Sequence, residues 1–394
     1  MSADGRWLFS GGQDNSLRVW DVETGAALYA VKAHRERVYG LALISDNVRL
    51  VTASWDFTIK VWKMGRRAIL PVFRGHTDYI VKAAFSPDGS KIASSSWDST
   101  VRIWNGKTGA KIYDFSGFKD RVWDVSWSPD GNTLAASCWD GTISLLDTKR
   151  GRLIKTLRGH KDRVFGLTWS PDGKKLISSS KDNTVIVWDV QWGKPLHVLR
   201  GHGDSVRNVA VSPRQGLIAS TSKDMSVIIW NLSGKKIRTI KGHKGLVSGV
   251  DFSSDGALIA TSSKDKMVFL FDSVTGKKIR EFAGHTAWVN SVRFSHDNKY
   301  LATAGDDHSV RVWDVATGHM LLVLNSKKES ISAEFSPDDK NLLYGDGNDV
   351  RMVPLDFAIS KRSPKELLSI AEKRSGLKLD GFMIEVVEPD NLVR

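Results

Sequence analysis

Apolar and polar positions alternate in short runs along almost the whole chain, and the runs come in sets of four. Ile80-Val81-Lys82-Ala83-Ala84-Phe85 is followed by the turn Ser86-Pro87-Asp88-Gly89 and then by Lys91-Ile92-Ala93-Ser94-Ser95-Ser96. An Asp turn at Asp98 leads into Thr100-Val101-Arg102-Ile103-Trp104. A fourth short stretch, such as Ile69-Leu70-Pro71-Val72-Phe73, precedes the next set. Period-two alternation, β-rich composition and Pro/Asp/Gly turns predict an antiparallel meander of four strands.

The meander recurs. Its punctuation is Gly-His or a variant, at Ala33-His34, Gly75-His76, Gly117-Phe118, Gly159-His160, Gly201-His202, Gly242-His243 and Gly284-His285, in steps of 42 residues with one of 41. Nine repeats are recognisable. The first lacks its innermost strand, because Ser2-Ala3-Asp4-Gly5 already occupies the turn that should follow that strand. The ninth, about 325–356, is degenerate, with Val353-Pro354 where Trp-Asp stands elsewhere. One such sheet cannot bury both faces, so neighbours must stack, and radial stacking leaves few open edges. The expected fold class is an all-β propeller of four-stranded antiparallel blades, about eight in number. Seven and nine are the alternatives, since a repeat count does not reveal how a ring closes.

Gly-His, Ser-Pro-Asp-Gly and a terminal Trp-Asp (residues 20–21, 188–189 and 313–314) recur in register. In this the chain resembles the WD-repeat β-propeller family over roughly residues 4–356. The expected organisation is a propeller over 1–356 and a tail over 357–394. The resemblance implies a structural hydrogen-bond network in each blade, carried by His76, Ser94, Asp98 and Trp104, and again by His160, Ser178, Asp182 and Trp188. Matching sets are His34, Thr52, Asp56, Trp62; His202, Ser220, Asp224, Trp230; and His285, Thr303, Asp307, Trp313. The blade from Phe118 departs most, with Ala136 and Leu146, and the blade from His243 has Phe271 in place of Trp; these two should be the softer ones.

A His near an Asp and a Ser invites a catalytic reading, but several copies of one constellation are architecture, and the expectation is a protein that is not an enzyme. Gly106-Lys107-Thr108 echoes a phosphate-binding loop, yet the required upstream glycine is Val101. His197, His296, His308 and His319 show no metal-ligand spacing, and no cofactor is called for. The composition is 41% apolar, with no run near the roughly 20 residues of a membrane span. The one cysteine, Cys138, rules out an intrachain disulfide framework and suits a reducing, intracellular compartment; the expected setting is the cytoplasm, with the nucleus as the alternative. The net charge of +13 favours acidic partners.

In a meander the Asp turns and the Gly-His loops share one end. The residue before each turn Asp is Gln13, Trp55, Trp97, Trp139, Lys181, Lys223, Lys264 and Asp306. The family resemblance adds the residues three and five past each histidine: Arg37 and Tyr39, Tyr79 and Val81, Arg121 and Trp123, Arg163 and Phe165, Ser205 and Arg207, Leu246 and Ser248, Trp288 and Asn290. Aromatics and arginines carry binding energy at interfaces. Trp55, Trp97, Trp139, Tyr39, Tyr79, Trp123, Phe165 and Trp288 are therefore expected to form an aromatic sector. Arg37, Arg121, Arg163, Arg207, Lys181, Lys223 and Lys264 are the cationic complement. The plainer reading is that a Trp in such a turn only covers the next blade and a Lys only solvates the rim. The expected partners are proteins or peptides, acidic or phosphorylated ones included. Nucleic acid on the same face is the alternative, weakened by the basic residues Lys174-Lys175, Lys235-Lys236 and Lys277-Lys278 at the opposite end.

The tail carries a capping box, Ser363-Pro364-Lys365-Glu366, which predicts a helix over about 364–375. Phe382-Met383-Ile384-Glu385-Val386-Val387 predicts a strand, expected to pair with the propeller edge near the first repeat. Either that strand supplies what the first repeat lacks, or the chain is cut from a longer parent.

Overall fold

The structure, a computed structural model, describes residues 7–22, 27–33, 38–43, 49–54, 58–63, 72–326, 328–355 and 383–385. They fall into two compact units.

The larger unit, 70–319 with 326–355, is a ring of antiparallel sheets. Blade 1 comprises Ile80–Phe85, Lys91–Ser96, Val101–Asn105 and Lys111–Phe115. Blade 2 comprises Val122–Trp127, Thr133–Cys138, Thr142–Asp147 and Arg152–Arg158. Blade 3 runs through Val164–Trp169, Lys175–Ser180, Thr184–Asp189 and Lys194–Arg200. Blade 4 runs through Val206–Val211, Leu217–Ser222, Val227–Asn231 and Lys236–Ile240. Blade 5 has Val247–Phe252, Leu258–Ser263, Val268–Asp272 and Lys278–Phe282. Blade 6 contributes Val289–Phe294, Tyr300–Gly305 and Ser309–Asp314. Blade 7 has Ala333–Phe335, Asn341–Asp346 and Asp349–Pro354.

The outer strand of blade 7 comes from the other end of the chain. Val72–Phe73 pairs antiparallel with it, Phe73 opposite Val350 and Val72 opposite Arg351. Innermost strands are neighbours in chain order, and that of blade 7 lies beside that of blade 1. The ring thus closes at seven blades, which corrects the expectation of about eight. The physical reason is that the fourth strand of the second repeat serves the ninth repeat. Closure interleaves the two ends of the ring instead of adding a blade.

Second strands lie deepest. Ile92, Leu134, Leu176, Ile218, Ile259 and Leu301 are fully buried, each gaining about 2 kcal/mol over an exposed side chain. Blades also grip one another through polar contacts. The indole N–H of Trp127 donates to Ala84 O at 3.1 Å, and that of Trp169 to Ser126 O at 3.0 Å.

The smaller unit, 1–69 with 320–325 and 356–394, holds the first two repeats. The first is, among the described residues, the three-stranded sheet Trp7–Gly11, Ser16–Asp21, Ala27–Lys32. The second is Val38–Leu43, Arg49–Ser54, Thr58–Lys63. Met383–Glu385 pairs parallel to Thr58–Lys63, with Met383 opposite Thr58. The tail strand therefore extends the second sheet at its outer edge, where the sequence placed it beside the first repeat. The helix expected over about 364–375 lies outside the described residues.

Candidate functional site

In blades 1 to 6 the turn between the second and third strands is anchored in the same way on an Asp side chain. Asp98 Oδ1 accepts from the backbone N–H of Thr100 at 3.0 Å, and Ser99 adopts the left-handed region at φ 60°. A carboxylate that binds backbone two residues on is what makes Asp suitable there. The other carboxylate oxygen, Oδ2, accepts from the loop before the blade: His76 Nδ1 lies 2.8 Å away and Thr77 N–H 3.0 Å. His76 Nε2 contacts Ser94 Oγ at 2.8 Å, and Trp104 Nε1–H donates to the same oxygen at 2.9 Å. His160, Asp182, Ser178 and Trp188 repeat this geometry at 2.9, 2.7 and 2.8 Å. So do the sets of His202 and His285. In blade 5 His243 keeps Asp265 and Thr261, but Phe271 has no N–H to donate. Of the set His34, Thr52, Asp56 and Trp62, only buried Thr52 is described at side-chain level.

These clamps hold the Asp turns against the Gly-His loops, and the residues expected to form the binding face meet there. The backbone N–H of Trp97 donates to Tyr79 O, Trp139 to Arg121 O, Lys181 to Arg163 O, Lys223 to Ser205 O, Lys264 to Leu246 O and Asp306 to Trp288 O, all at 2.8–3.0 Å. The residues five past each histidine sit in a register irregularity of the innermost strand, between Ile80 and Lys82 in blade 1 and between Val122 and Asp124 in blade 2. A bulge re-aims one side chain out of the pleat.

The outcome is a continuous aromatic lattice across blades 1 to 3. Tyr79 and Trp97 have centroids 5.3 Å apart, Trp97 and Trp139 6.1 Å, and Trp123 stacks on Trp139 at 5.4 Å and 21°. Phe165 meets Trp123 edge-on at 5.4 Å. Guanidinium groups cap the rings: Arg121 over Trp97 at 4.4 Å, Arg163 over Trp139 at 4.1 Å, Arg207 over Phe165 at 4.1 Å. Lys328, not singled out in the sequence, lies 4.6 Å over Tyr79. The indole N–H groups of Trp97 and Trp139 are buried without a hydrogen-bond partner. Burial and the neighbouring Arg163 push Arg207 down to about 10. None of Arg121, Arg163 and Arg207 has a carboxylate at ion-pair distance among the described residues.

Not every expected residue presents itself outward. Phe165 is 2% exposed beneath Arg207 and Trp123, so it supports the face from below. Lys181 and Lys223 pair with Asp162 at 3.3 Å and Asp204 at 3.1 Å. Lys264 is drawn instead over the exposed Trp288 at 3.0 Å, and burial lowers its pKa, with Arg207 and Lys223 adding to the effect. Trp55 and Arg37 lie outside the described residues, as does the side chain of Tyr39.

The sequence reading missed the axis of the ring. A cavity of 640 Å³ there is lined by Lys82, Asp251, Arg293 and Glu334, among others. Three carboxylates of the innermost strands each accept a backbone N–H of the following blade: Asp124 from Leu167 (2.9 Å), Asp251 from Phe294 (2.9 Å), and Glu334 from Phe85 (3.2 Å) across the closing seam. Lys82 Nζ lies 3.9 Å from both Asp124 and Glu334. Burial raises the carboxyls of Asp251 and Glu334 and lowers the Lys82 amine. The signal was charge at alternate positions of strands otherwise apolar. Among the described residues no group of three His, Cys, Asp or Glu side chains is arranged to hold a metal.

The sequence model described as "WD domain, G-beta repeat" matches residues 1–21, 25–63, 68–105, 109–147, 151–189, 193–231, 234–272 and 276–314. The chain belongs to the WD-repeat family. Each matched stretch from 68 onward ends with the third strand of a blade and begins just ahead of the outer strand of the blade before it, the offset that Val72–Phe73 uses to close the ring. Propellers of this family generally bind other proteins and are generally non-catalytic. The chain is also similar to autophagy-related protein 16 of Arabidopsis thaliana, 38% identical over 56 residues. That match spans 14% of this chain and 11% of the relative.

Proposed function

We propose that this WD-repeat propeller is a non-catalytic cytoplasmic scaffold that docks acidic segments of other proteins, phosphorylated ones included, on the lattice of Trp97, Trp123, Trp139, Arg121, Arg163 and Arg207. One observation carries the reading. Three guanidinium groups are fixed over aromatic rings with no carboxylate at ion-pair distance among the described residues, whereas Lys181 and Lys223 on the same face have carboxylate partners. A cation held over a ring keeps its fork of donors in place and loses little freedom on meeting a carboxylate or phosphate. The depressed pKa of Arg207 has the same meaning: charge is held there against burial, and an incoming anion relieves it.

Single-stranded RNA needs open ring faces on which bases stack. Here Arg121, Arg163 and Arg207 already cover rings in the lattice, which favours the acidic peptide. The test is a peptide array of neutral, Asp/Glu-rich and phosphoserine sequences, with an oligoribonucleotide measured in parallel. Acidic peptides should be selected, and Arg163→Gln should weaken their binding about tenfold. Equal capture of neutral peptides, or tight RNA binding that survives physiological salt, would overturn the reading.

A further inference from the structure

In blades 1, 3, 4 and 6 an aromatic ring closes the floor of the Gly-His loop. A Cβ on Gly75, Gly159, Gly201 or Gly284 would meet the indole of Trp104, Trp188, Trp230 or Trp313 at 3.5, 2.8, 3.0 and 3.0 Å. In blade 5 the corresponding Gly242 would meet Phe269 at 3.9 Å. Gly117 of blade 2, at φ 92°, would meet nothing within 4 Å. Three substitutions open that space. Leu146 stands for the indole, Phe118 for the histidine, and Ser144 occupies the third-strand position that is Arg102, Ile186, Ile228, Phe269 or Arg311 elsewhere. The result is a cavity of 360 Å³ lined by Phe118, Asp140, Thr142, Ser144, Leu146 and Arg158, among others.

We infer that this pocket receives the neutral indole of a tryptophan presented by a partner chain. Asp140 supplies the acceptor. Thr142 engages its Oδ1 through N–H at 3.0 Å and hydroxyl at 2.6 Å, and the Cys138 thiol and the Arg158 charge also favour the carboxylate, while the imidazole that blades 1 and 3 to 6 aim at Oδ2 is replaced here by the Phe118 ring. Leu146 and Phe118 supply an apolar wall for a flat ring. Lys119, Arg152 and Arg158 on the rim disfavour a cation, and Asp140 disfavours an anion. A neutral ring with one N–H donor satisfies all three conditions, and the same space holds an indole in the neighbouring blades. The pocket runs along the outer strands of the blade from Phe118 and Asp140 to Gly151 and Arg152, and no residue of the arginine lattice lines it, so it extends the docking surface without resting on it.

The test uses the full chain and N-acetyltryptophanamide, followed by saturation-transfer NMR and calorimetry, with N-acetylphenylalaninamide as the ring lacking a donor. The tryptophan amide should bind about tenfold more tightly than the phenylalanine amide, the worth of one hydrogen bond to a carboxylate. Ser144→Ile, which gives the blade 3 residue, should weaken it at least as much. Should that variant fold poorly, Phe118→His/Ala136→Ser/Leu146→Trp rebuilds the neighbours' arrangement and should abolish binding while raising the melting temperature. Arg163→Gln should leave the amide's binding unchanged, which separates this pocket from the docking of acidic peptides. No preference between the two amides, or binding that persists in the filled variants, would overturn the inference.

Discussion

Two sectors of one face are built on the same backbone and do opposite things with it. In blades 1 and 2 the residue before the turn Asp is Trp97 or Trp139, locked between rings and guanidinium groups. In blades 3 and 4 it is Lys181 or Lys223, reaching to an aspartate of its own loop. Rings touching rings hold their geometry with little rotamer freedom left to lose on binding. Exposed Lys–Asp pairs contribute roughly 0–1 kcal/mol and are screened by salt. The comparison teaches that position on the face does not decide function here; the company each side chain keeps does. Binding energy should be concentrated in the first sector, while the second shapes the surrounding potential.

The strongest way to break that comparison is Trp139→Ala beside Lys223→Ala. Trp139 touches Trp97, Trp123, Arg121 and Arg163, so its loss unseats the centre of the lattice. Affinity for an acidic peptide should fall at least about 30-fold, or about 2 kcal/mol, the level of an interface hot spot. Lys223→Ala should change it less than about twofold. Equal losses would erase the distinction between the sectors. Denaturant titration of both variants separates lost docking from lost stability.

A narrower test sets Arg163→Gln against Lys181→Gln, neighbours whose backbones are joined by the Lys181 N–H bond to Arg163 O. Arg163 has a ring and no carboxylate at ion-pair distance, so removing its charge should cost about tenfold in affinity for the acidic peptide. Lys181 is already satisfied by Asp162, and its loss should be felt about twofold at most. Calorimetry at a single ionic strength is sufficient.

Acid should part the sectors by another route, because blade 2 alone among blades 1 to 6 lacks the loop histidine. Burial by itself would raise the carboxyls of Asp98, Asp182 and Asp307. Hydrogen bonds from His76, His160 and His285 and from Thr100, Thr184 and Ser309 hold them far below the usual range instead. Burial also lowers His202 and His285. For these histidines the unfolded chain takes up protons first, so stability declines once pH drops below about 6.5. For the carboxylates the stabilisation is full above about pH 4 and is lost below it. Melting temperature should therefore hold from pH 9 to 7, sag towards 5 and fall steeply below 4. Exchange protection at the Trp139 amide should sag less than at Lys223, whose turn leans on His202. A single transition confined to pH below 4 would show that the histidines contribute nothing.

Much of this was legible in the chain because it is written several times. His, Ser or Thr, Asp and Trp recur at separations of 22, 18 and 10 residues along the blade, so buried partners are named by position alone. The division into a tryptophan sector and a lysine sector was equally visible at one turn position. What was not legible happens once or depends on geometry. Ring closure rests on Val72–Phe73 skipping its own repeat, which a count of repeats cannot disclose. The bulge that lifts Trp123 and Arg207 onto the face leaves no mark in an alternating pattern. Asp124, Asp251 and Glu334 each tie their blade to the next through a backbone N–H that only the stacking of blades brings within reach. The pocket of blade 2 follows from Ser144 and Gly117 together, two small residues with no meaning until their neighbours' indoles are in place.

The smallest effect is also the most specific to the lysine sector. If Lys181 and Lys223 act only through potential, removing both should slow association slightly and leave dissociation alone, since rim charges act on encounter while packed groups set residence time. At about 0.5 M salt, where screening acts over only a few ångströms, the double variant Lys181→Ala/Lys223→Ala should become indistinguishable from the parent protein. Trp139→Ala should remain defective there, because ring packing is not screened. Surface-immobilised acidic peptide and two ionic strengths decide the matter. A double variant whose dissociation quickens at high salt would mean that the lysines touch the partner directly, and that the face works as one surface instead of two.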